Sequence, residues 1–552
     1  MVNKILSIEL KKAWPTLFLL LSVWFVVSSC KGRKSGEQPL LDSTYITKYM
    51  TSKAAFKDQI YWAMQFYNAR AFRLGWFKDH EIVPQADTML QVIGRASEEG
   101  LDPKDYQVVD FNKLFDELKG NKRNLDKRDS LEKEIDVALS ATYFNWASDY
   151  YRGLLKPRET KKTDWDVKRN RLKLDQALMA VLGEKESTLP YASFRPLHPE
   201  YAHLKKALAN LRRVQAEGGW AKIPAPVSLA VGQHSSVVPL LRKRLAAFMS
   251  DSTLKSEDDV FDQNLADALK SFQEFNELKV TGSLSPETVN YMNVPVADRI
   301  RQVIINMERW RWIPQSFEPN YIFVNIPEYK LHVFEKGKEV MNMKVIVGKD
   351  LHSTPVFNDK MESVVLAPYW NIPPGILKNE IAPKAASNPN FLSAMDMEVV
   401  SKDGTVVDPS SVDWSTAGTP DFHYTVRRKP GPKNDLGRVK FIFPNSMNIY
   451  LHDTPASELF NQSKRQFSHG CVRVEKPIDL AVYLLRDVPG WNRQKILDQI
   501  GSNQQRYVGL KQKVPVYLLY FTASADSRGR VRFYEDIYGH DQQLKTMYFN
   551  KL

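Results

Sequence analysis

At 552 residues the chain is too long for one ordinary domain and is read as about three. Its 43% hydrophobic and 26% charged residues, with 12 Trp, 23 Tyr and 27 Phe, exclude a disordered chain and supply several cores. The formal charge of +13 is spread along the sequence, which argues against a nucleic-acid partner with its clustered basic stripe and fits either an anionic envelope polymer or membrane surface, or a merely solvating role.

The N-terminus addresses the compartment. Lys4, Lys11 and Lys12 precede an apolar run over residues 14–27, about half of what a membrane span needs. This is the layout of a secretory signal. The run ends in Val27-Ser28-Ser29-Cys30, which resembles the bacterial lipoprotein box. That resemblance implies removal of residues 1–29, acylation of Cys30, attachment to a membrane through that lipid, and a cell-envelope, periplasm-facing location. A plain signal anchor, or a secreted chain with an incidental cysteine, is the alternative. Residues 30–44 then form a polar tether. There are two cysteines, Cys30 and Cys471. With Cys30 lipidated, Cys471 has no partner in the chain, and an exported lone thiol either performs chemistry or is buried and inert.

Residues 45–225 carry helical spacing, as in Tyr61-Trp62-Ala63-Met64-Gln65-Phe66-Tyr67, and predict an all-α domain. Pro224 and Pro226 mark a boundary. Residues 226–296 predict a small helical unit in which Phe272-Gln273, Gly282 and Pro286-Glu287-Thr288 follow one another. That succession resembles the small peptidoglycan-binding domain; a generic three-helix spacer is the alternative. From Tyr321 the period changes to two. Strands are expected at residues 321–326, 330–334, 340–347, 362–366, 439–443 and 448–451, and a last hairpin pairing 516–522 with 531–534. Residues 376–433 break this pattern, as a lid or binding loop does. The fold class expected is α+β multidomain: an all-α scaffold, a helical module, and a mainly-β domain over residues 297–552 with a capping insertion at about 376–433.

The chemistry concentrates between Asn448 and Val474. A strand delivers His452 in Tyr450-Leu451-His452, and Ser468-His469-Gly470-Cys471-Val472-Arg473 follows. A thiol attacks an acyl carbon as thiolate, and a neighbouring imidazole can take its proton. Glycine before the nucleophile allows a tight turn that brings peptide N–H groups toward a developing oxyanion. Zinc ligation by His452, His469 and Cys471 lacks a fourth ligand and the usual short spacings, so no metal or cofactor is expected.

This pattern is similar to the YkuD-type L,D-transpeptidase motif. The resemblance implies that Cys471 is the acylated nucleophile and His452 its base. It further implies that His469 shapes the site and that the backbone at Gly470 and Cys471 stabilises the oxyanion. Many members have Asn where this chain has Arg473; the larger YcbB-type members carry the Cys-Val-Arg-Val seen here as Cys471-Val472-Arg473-Val474. Arg473 is expected either to hold a stem-peptide carboxylate or to form a structural salt bridge. Phe66-Tyr67-Asn68-Ala69-Arg70, Asn306-Met307-Glu308-Arg309-Trp310, Pro368-Tyr369-Trp370-Asn371 and Pro430-Gly431-Pro432 extend the YcbB-type resemblance over most of the exported chain. Substrate contacts are expected from Arg473, Ser468, Tyr369 and Trp370. The implied activity joins third-position diamino acids of peptidoglycan stem peptides through a cysteine thioester, releasing D-alanine, alongside other cell-wall synthesis proteins. A carboxypeptidase or cross-link hydrolase of the same fold, and a non-catalytic wall-binding lipoprotein, are the alternatives.

Overall fold

Long buried polar anchors, as much as apolar stripes, organise this chain. The computed structural model describes residues 38–157, 165–166, 172–183, 198–224, 228–249, 254, 257–314, 316–388 and 390–550. Cys30, residues 1–29, most of the expected tether and Pro226 lie outside the described residues.

The N-terminal part is helical: α1 (Ser43–Ser52), α2 (Ile60–Ala69), a short hairpin of β1 (Phe77–Lys78) and β2 (Glu81–Ile82), α3 (Gln85–Gly94), α4 (Phe111–Gly120) and α5 (Leu125–Arg152). Asp42 and Asn124 cap α1 and α5 by accepting from backbone N–H groups three residues on. The 28-residue α5 is buried on nearly every side from Ile135 to Ala147, so it forms the axis of the domain. Its polar residues are matched within the core. Asp136 accepts from Tyr67 Oη (2.6 Å) and Trp76 N (2.7 Å), and Ser140 accepts from Trp76 Nε1 (2.9 Å). The strand β3 (Trp165–Asp166), α6 (Leu174–Gly183) and α7 (Pro199–Ala216) follow.

The next unit contains α8 (Val237–Met249), α9 (Gln263–Phe275) and α10 (Pro286–Met292). Here the Phe-Gln…Gly…Pro-x-Thr signature is a folding device. Phe272 is fully buried, and Gln273 accepts from Thr281 N and Gly282 N at 2.9 Å while donating to Ser283 O at 2.8 Å. Ser285 caps α10, with Pro286 at its first turn.

Helix α11 (Val296–Trp312) joins the parts and is enclosed along most of its length. On one side Asn306 exchanges hydrogen bonds with Thr522 (2.8 Å each), and Arg309 pairs with Asp541 at 2.5 Å. On the other, Arg311 donates to Tyr150 O, Glu99 O and Tyr201 Oη, and Glu308 accepts from Leu155 N at 2.8 Å.

The C-terminal domain is built on β4 (Asn320–Asn325), β5 (Lys330–Glu335), β6 (Lys338–Gly348), β7 (Val356–Leu366), β8 (Trp370–Asn371), β9 (Met397–Val400), β10 (Val406–Val407), β11 (Thr425–Arg428), β12 (Val439–Ile442), β13 (Leu451–His452), β14 (Gln466–Ser468), β15 (Val472–Val474), β16 (Arg506–Leu519), β17 (Ala523–Ala525) and β18 (Val531–Phe533). The main sheet runs β12-β13-β15-β6-β5-β4-β16-β7, and β12 also pairs with β7, so the path closes on itself. The scaffold's β3 adds to β7 in parallel.

Two strand expectations are corrected. The chain does not extend from Asn448. That residue has φ +56° in a loop tied by Asn445, and the ladder starts at Leu451. The last hairpin is also placed differently. β16 belongs to the main sheet, between β4 and β7, and a separate short strand, β17, pairs with β18. The chain leaves the sheet there because α11 takes the Thr522 backbone groups, through Gln302 and Asn306.

Residues 376–433, expected as irregular chain, lie in a small folded layer. Four short strands in the order β10-β9-β11-β8 cover a core that includes Leu377, Leu392, Val399 and Val426. These strands have two to four residues, too few to show a period, and a π-helical turn at Leu377–Ile381 interrupts the helical spacing.

Candidate active site

Two parallel neighbouring strands bring the sequence motif together. β13 pairs with β15 in the register Leu451↔Val472 and His452↔Arg473, and Cys471 immediately precedes β15. The turn before it depends on Gly470, whose φ of +109° suits glycine alone. Gly348, at the end of β6, packs against this turn: a Cβ there would lie 2.0 Å from His352 O and 3.1 Å from Gly470 Cα. Hydroxyl groups then lock the loop. Ser468 Oγ donates to Cys471 O (2.5 Å) and accepts from Gly470 N (3.2 Å). Thr354 Oγ1 donates to Gly470 O (2.8 Å) and accepts from Gly348 N (2.9 Å). Ser468 thus supports the Cys471 backbone.

His452 is 5% exposed, and its Nδ1–H donates to Asp453 O at 2.5 Å. That bond selects the tautomer with a free lone pair on Nε2. Burial, then the positive charges of Arg473 and Lys440, push its pKa down to about 3. Burial raises the Cys471 thiol, against lowering contributions from Tyr450, Lys440 and Arg473. Both groups are therefore neutral at rest. The thiol donates to Asn448 O at 3.9 Å and lies against Tyr450, while the imidazole holds Asp453 O.

Lys440 and Tyr450 were not singled out from the sequence. Lys440 is the cross-strand partner of His452, with Nζ 3.9 Å from the centre of the Tyr450 ring. The signal was present in part: Tyr450 stands two residues before His452, the spacing of side chains on one face of an extended chain. Thr354 and Asp453 carried no local signal, since each acts through tertiary hydrogen bonds.

His469 is partly exposed, with Nε2 3.7 Å from Glu380 Oε1 of the capping layer and its ring 5.3 Å from that of His352. Burial lowers its pKa, opposed by Glu380. Arg473 makes no salt bridge within 4 Å among the described residues, and its buried Nε has no protein hydrogen-bond partner. Tyr369 and Trp370 stand at the root of the capping layer, under Arg427 (4.1 Å) and Arg428 (5.6 Å) respectively. No hydrogen bond or ring contact joins either to Cys471 or His452. Among the described residues one group has metal-ligand spacing, His80, Asp129 and Glu132 in the scaffold. The Arg128 guanidinium lies within 4 Å of both carboxylates there, making it an ion-pair cluster.

Residues 319–508 match the family described as L,D-transpeptidase catalytic domain. The β domain is a YkuD-type catalytic domain. Residues 62–208 match the family described as Scaffold domain, and residues 234–292 that described as "Putative peptidoglycan binding domain". This order of parts is the YcbB-type architecture. A Haemophilus influenzae protein named "Putative L,D-transpeptidase" is 37% identical over 250 residues, 45% of this chain and 50% of that protein, so the match spans about half of the relative. Among solved structures, an L,D-transpeptidase from Xylanimonas cellulosilytica is 15% identical, covering 54% of this chain and 99% of that one, with a TM-score of 0.17. One from Mycobacterium smegmatis is 12% identical, covering 36% and 58%, also at 0.17. Overlaps that shallow add nothing to the sequence matches.

Proposed function

We propose that this YkuD-type chain is a peptidoglycan L,D-transpeptidase that joins third-position diamino acids of stem peptides through a thioester on Cys471. The observation that carries this reading is the pairing of β13 with β15. It sets a tautomer-fixed His452 one strand from a thiol whose loop is locked by Ser468 and Thr354. The thiol turns from Asn448 O toward His452 Nε2 as the donor binds. Its proton passes to the imidazole while sulfur attacks the third-residue carbonyl carbon. The backbone at Gly470 and Cys471 faces the negative charge that grows on oxygen, and the nearby Lys440 ammonium adds to the positive potential. The imidazolium returns its proton to the departing D-alanine amine as the C–N bond breaks. An acceptor amine then attacks the thioester carbonyl, giving a new amide and releasing the thiol.

Arg473, with no salt bridge among the described residues, pairs with a donor carboxylate. The capping layer, reaching His469 through Glu380, excludes water from the thioester. Deleting residues 376–433 should raise hydrolysis relative to cross-linking; an unchanged ratio would sink this role for the cap. The N-terminal motif supports acylation of Cys30 and a periplasm-facing lipoprotein, tested by whether Cys30→Ser releases the chain from membranes.

The test of the activity is incubation of the full chain with disaccharide-tetrapeptide and mass spectrometry of the products. A dimer formed with loss of D-alanine, and absent with Cys471→Ala, supports transpeptidation. Tripeptide alone moves the reading to a carboxypeptidase, and no Cys471-dependent turnover overturns both.

A further inference from the structure

A cavity lies apart from the thiol. Of about 1010 Å³, it opens where the three parts meet, lined by His198 and Glu200 at the start of α7, Phe275 at the end of α9, Trp310 of α11, and Phe317 and Tyr321 before and on β4. Glu339 of β6 also borders it, whereas Gly348, nine residues along that strand, touches Gly470. At about 3.3 Å per residue the Glu339 wall lies roughly 30 Å along β6 from the Gly470 turn, while Glu328 lies nearer, next to Tyr329, whose carbonyl accepts from Val345 N. It is large enough for a ligand of several rings.

Its chemistry selects a class. Much of the charge around it is paired: His332 lies between Glu328 (3.4 Å) and Glu339 (3.1 Å), and Arg532 meets Glu277 (2.5 Å), while Glu318 accepts from the neutral Tyr517 Oη (2.6 Å). The carboxylate oxygens, those of Glu318 included, keep lone pairs for hydroxyl or amide donors. The aromatic wall is rigid. Trp310 is stacked between His198 (4.2 Å, 14°) and Phe521 (4.3 Å, 16°), and Phe317 lies 4.2 Å from Tyr517. Fixed rings present apolar area at little entropic cost. Paired charges, hydrogen-bond acceptors and fixed aromatic rings together suit a neutral, hydroxyl-rich ring with one apolar face, which is a sugar.

The wall contributed by Phe275 belongs to residues 234–292, the segment matching the peptidoglycan-binding family. We infer that this three-way cavity is an exosite for the glycan strand of peptidoglycan, holding N-acetylated amino sugars while Cys471 works on a stem at the other end of β6. The inference rests on the proposed transpeptidase reading, although the glycan interaction can be measured without the reaction.

The probes are a hexamer of N-acetylglucosamine and glycan strands stripped of stem peptides, titrated against the full chain by calorimetry. Ser316→Trp adds bulk at the exposed rim without touching a core, and Phe317→Ala removes a wall ring. Both variants should bind at least about tenfold more weakly. Turnover of free disaccharide-tetrapeptide should stay unchanged, and cross-linking of intact sacculi should fall. Absence of binding by the unmodified chain, or equal binding by Ser316→Trp, overturns the exosite. Loss of soluble-donor turnover in the unmodified chain would instead count against the activity, leaving the sugar titration to stand or fall by itself.

Discussion

Replacing Thr354 by Val tests whether the hydroxyl lock behind Cys471 carries both stability and rate. Thr354 is 1% exposed, and valine matches its shape without the oxygen. The change leaves Gly470 C=O and Gly348 N–H without the hydroxyl that served both, at 2.8 and 2.9 Å. A buried backbone group left unsatisfied costs about 1–3 kcal/mol, so two such groups predict a loss of about 2–6 kcal/mol. The Gly470 turn would also relax, and a misplacement of about 1 Å at a reacting atom lowers turnover about a hundredfold. Urea unfolding and turnover of disaccharide-tetrapeptide measure the two effects. Thr354→Ser keeps the hydroxyl and should stay close to the unmodified chain in turnover. A Val variant within about 0.5 kcal/mol of the parent, or with undiminished turnover, would refute the reasoning.

Three further outcomes are expected. Gly437 has φ +60°, and a Cβ there would lie 2.5 Å from Asp453 Cβ and Cγ. Gly437→Ala should therefore shift the carbonyl that orients His452 and cut turnover at least about tenfold while Cys471 remains open to alkylation; full turnover would refute it. In the unfolded chain His452 takes up a proton near pH 6.5, but in the folded chain only near pH 3. The unfolded state thus binds more protons below pH 6.5, and stability should fall by about 2 kcal/mol between pH 6.5 and 5 from this group alone. His198 and His540, both pushed down to about 4, act in the same direction, while Glu200 and Asp136, raised by burial to about 7 and about 6, oppose it; the fall should shrink in His452→Gln, and an equal fall in variant and parent contradicts the argument. Finally, Arg473→Gln should raise KM for donors with a free carboxylate and leave amidated donors unchanged; equal effects on both would favour a structural role.

The parts that local rules govern were legible in the chain. The period of two appears at β4, β5 and β6, and the His452 and Cys471 motif stands in adjacent paired strands. The last hairpin was misread because Gln302 and Asn306, more than two hundred residues upstream, decide where the sheet ends. The capping layer read as irregular because its strands are too short for alternation. Around the thiol, Lys440 reaches the site through cross-strand register and Thr354 through a hydroxyl bridge, neither of which leaves a mark in the neighbouring sequence.

Helix α11 gives the molecule a property that its division into family segments does not suggest. Its seventeen residues are shared by two interiors, with Arg309 and Asn306 serving one and Arg311 and Glu308 the other. A catalytic segment cut out at residue 319 would lose the helix and leave Asp541 without Arg309 and the Thr522 backbone without Gln302 and Asn306. One cut at residue 296 would keep it but strip Glu308 and Arg311 of their scaffold contacts. Either truncation removes buried polar partners, a change that commonly costs several kcal/mol. Swapping the catalytic part between relatives should therefore succeed only when the scaffold travels with it, so that heredity of the two halves is coupled by one helix.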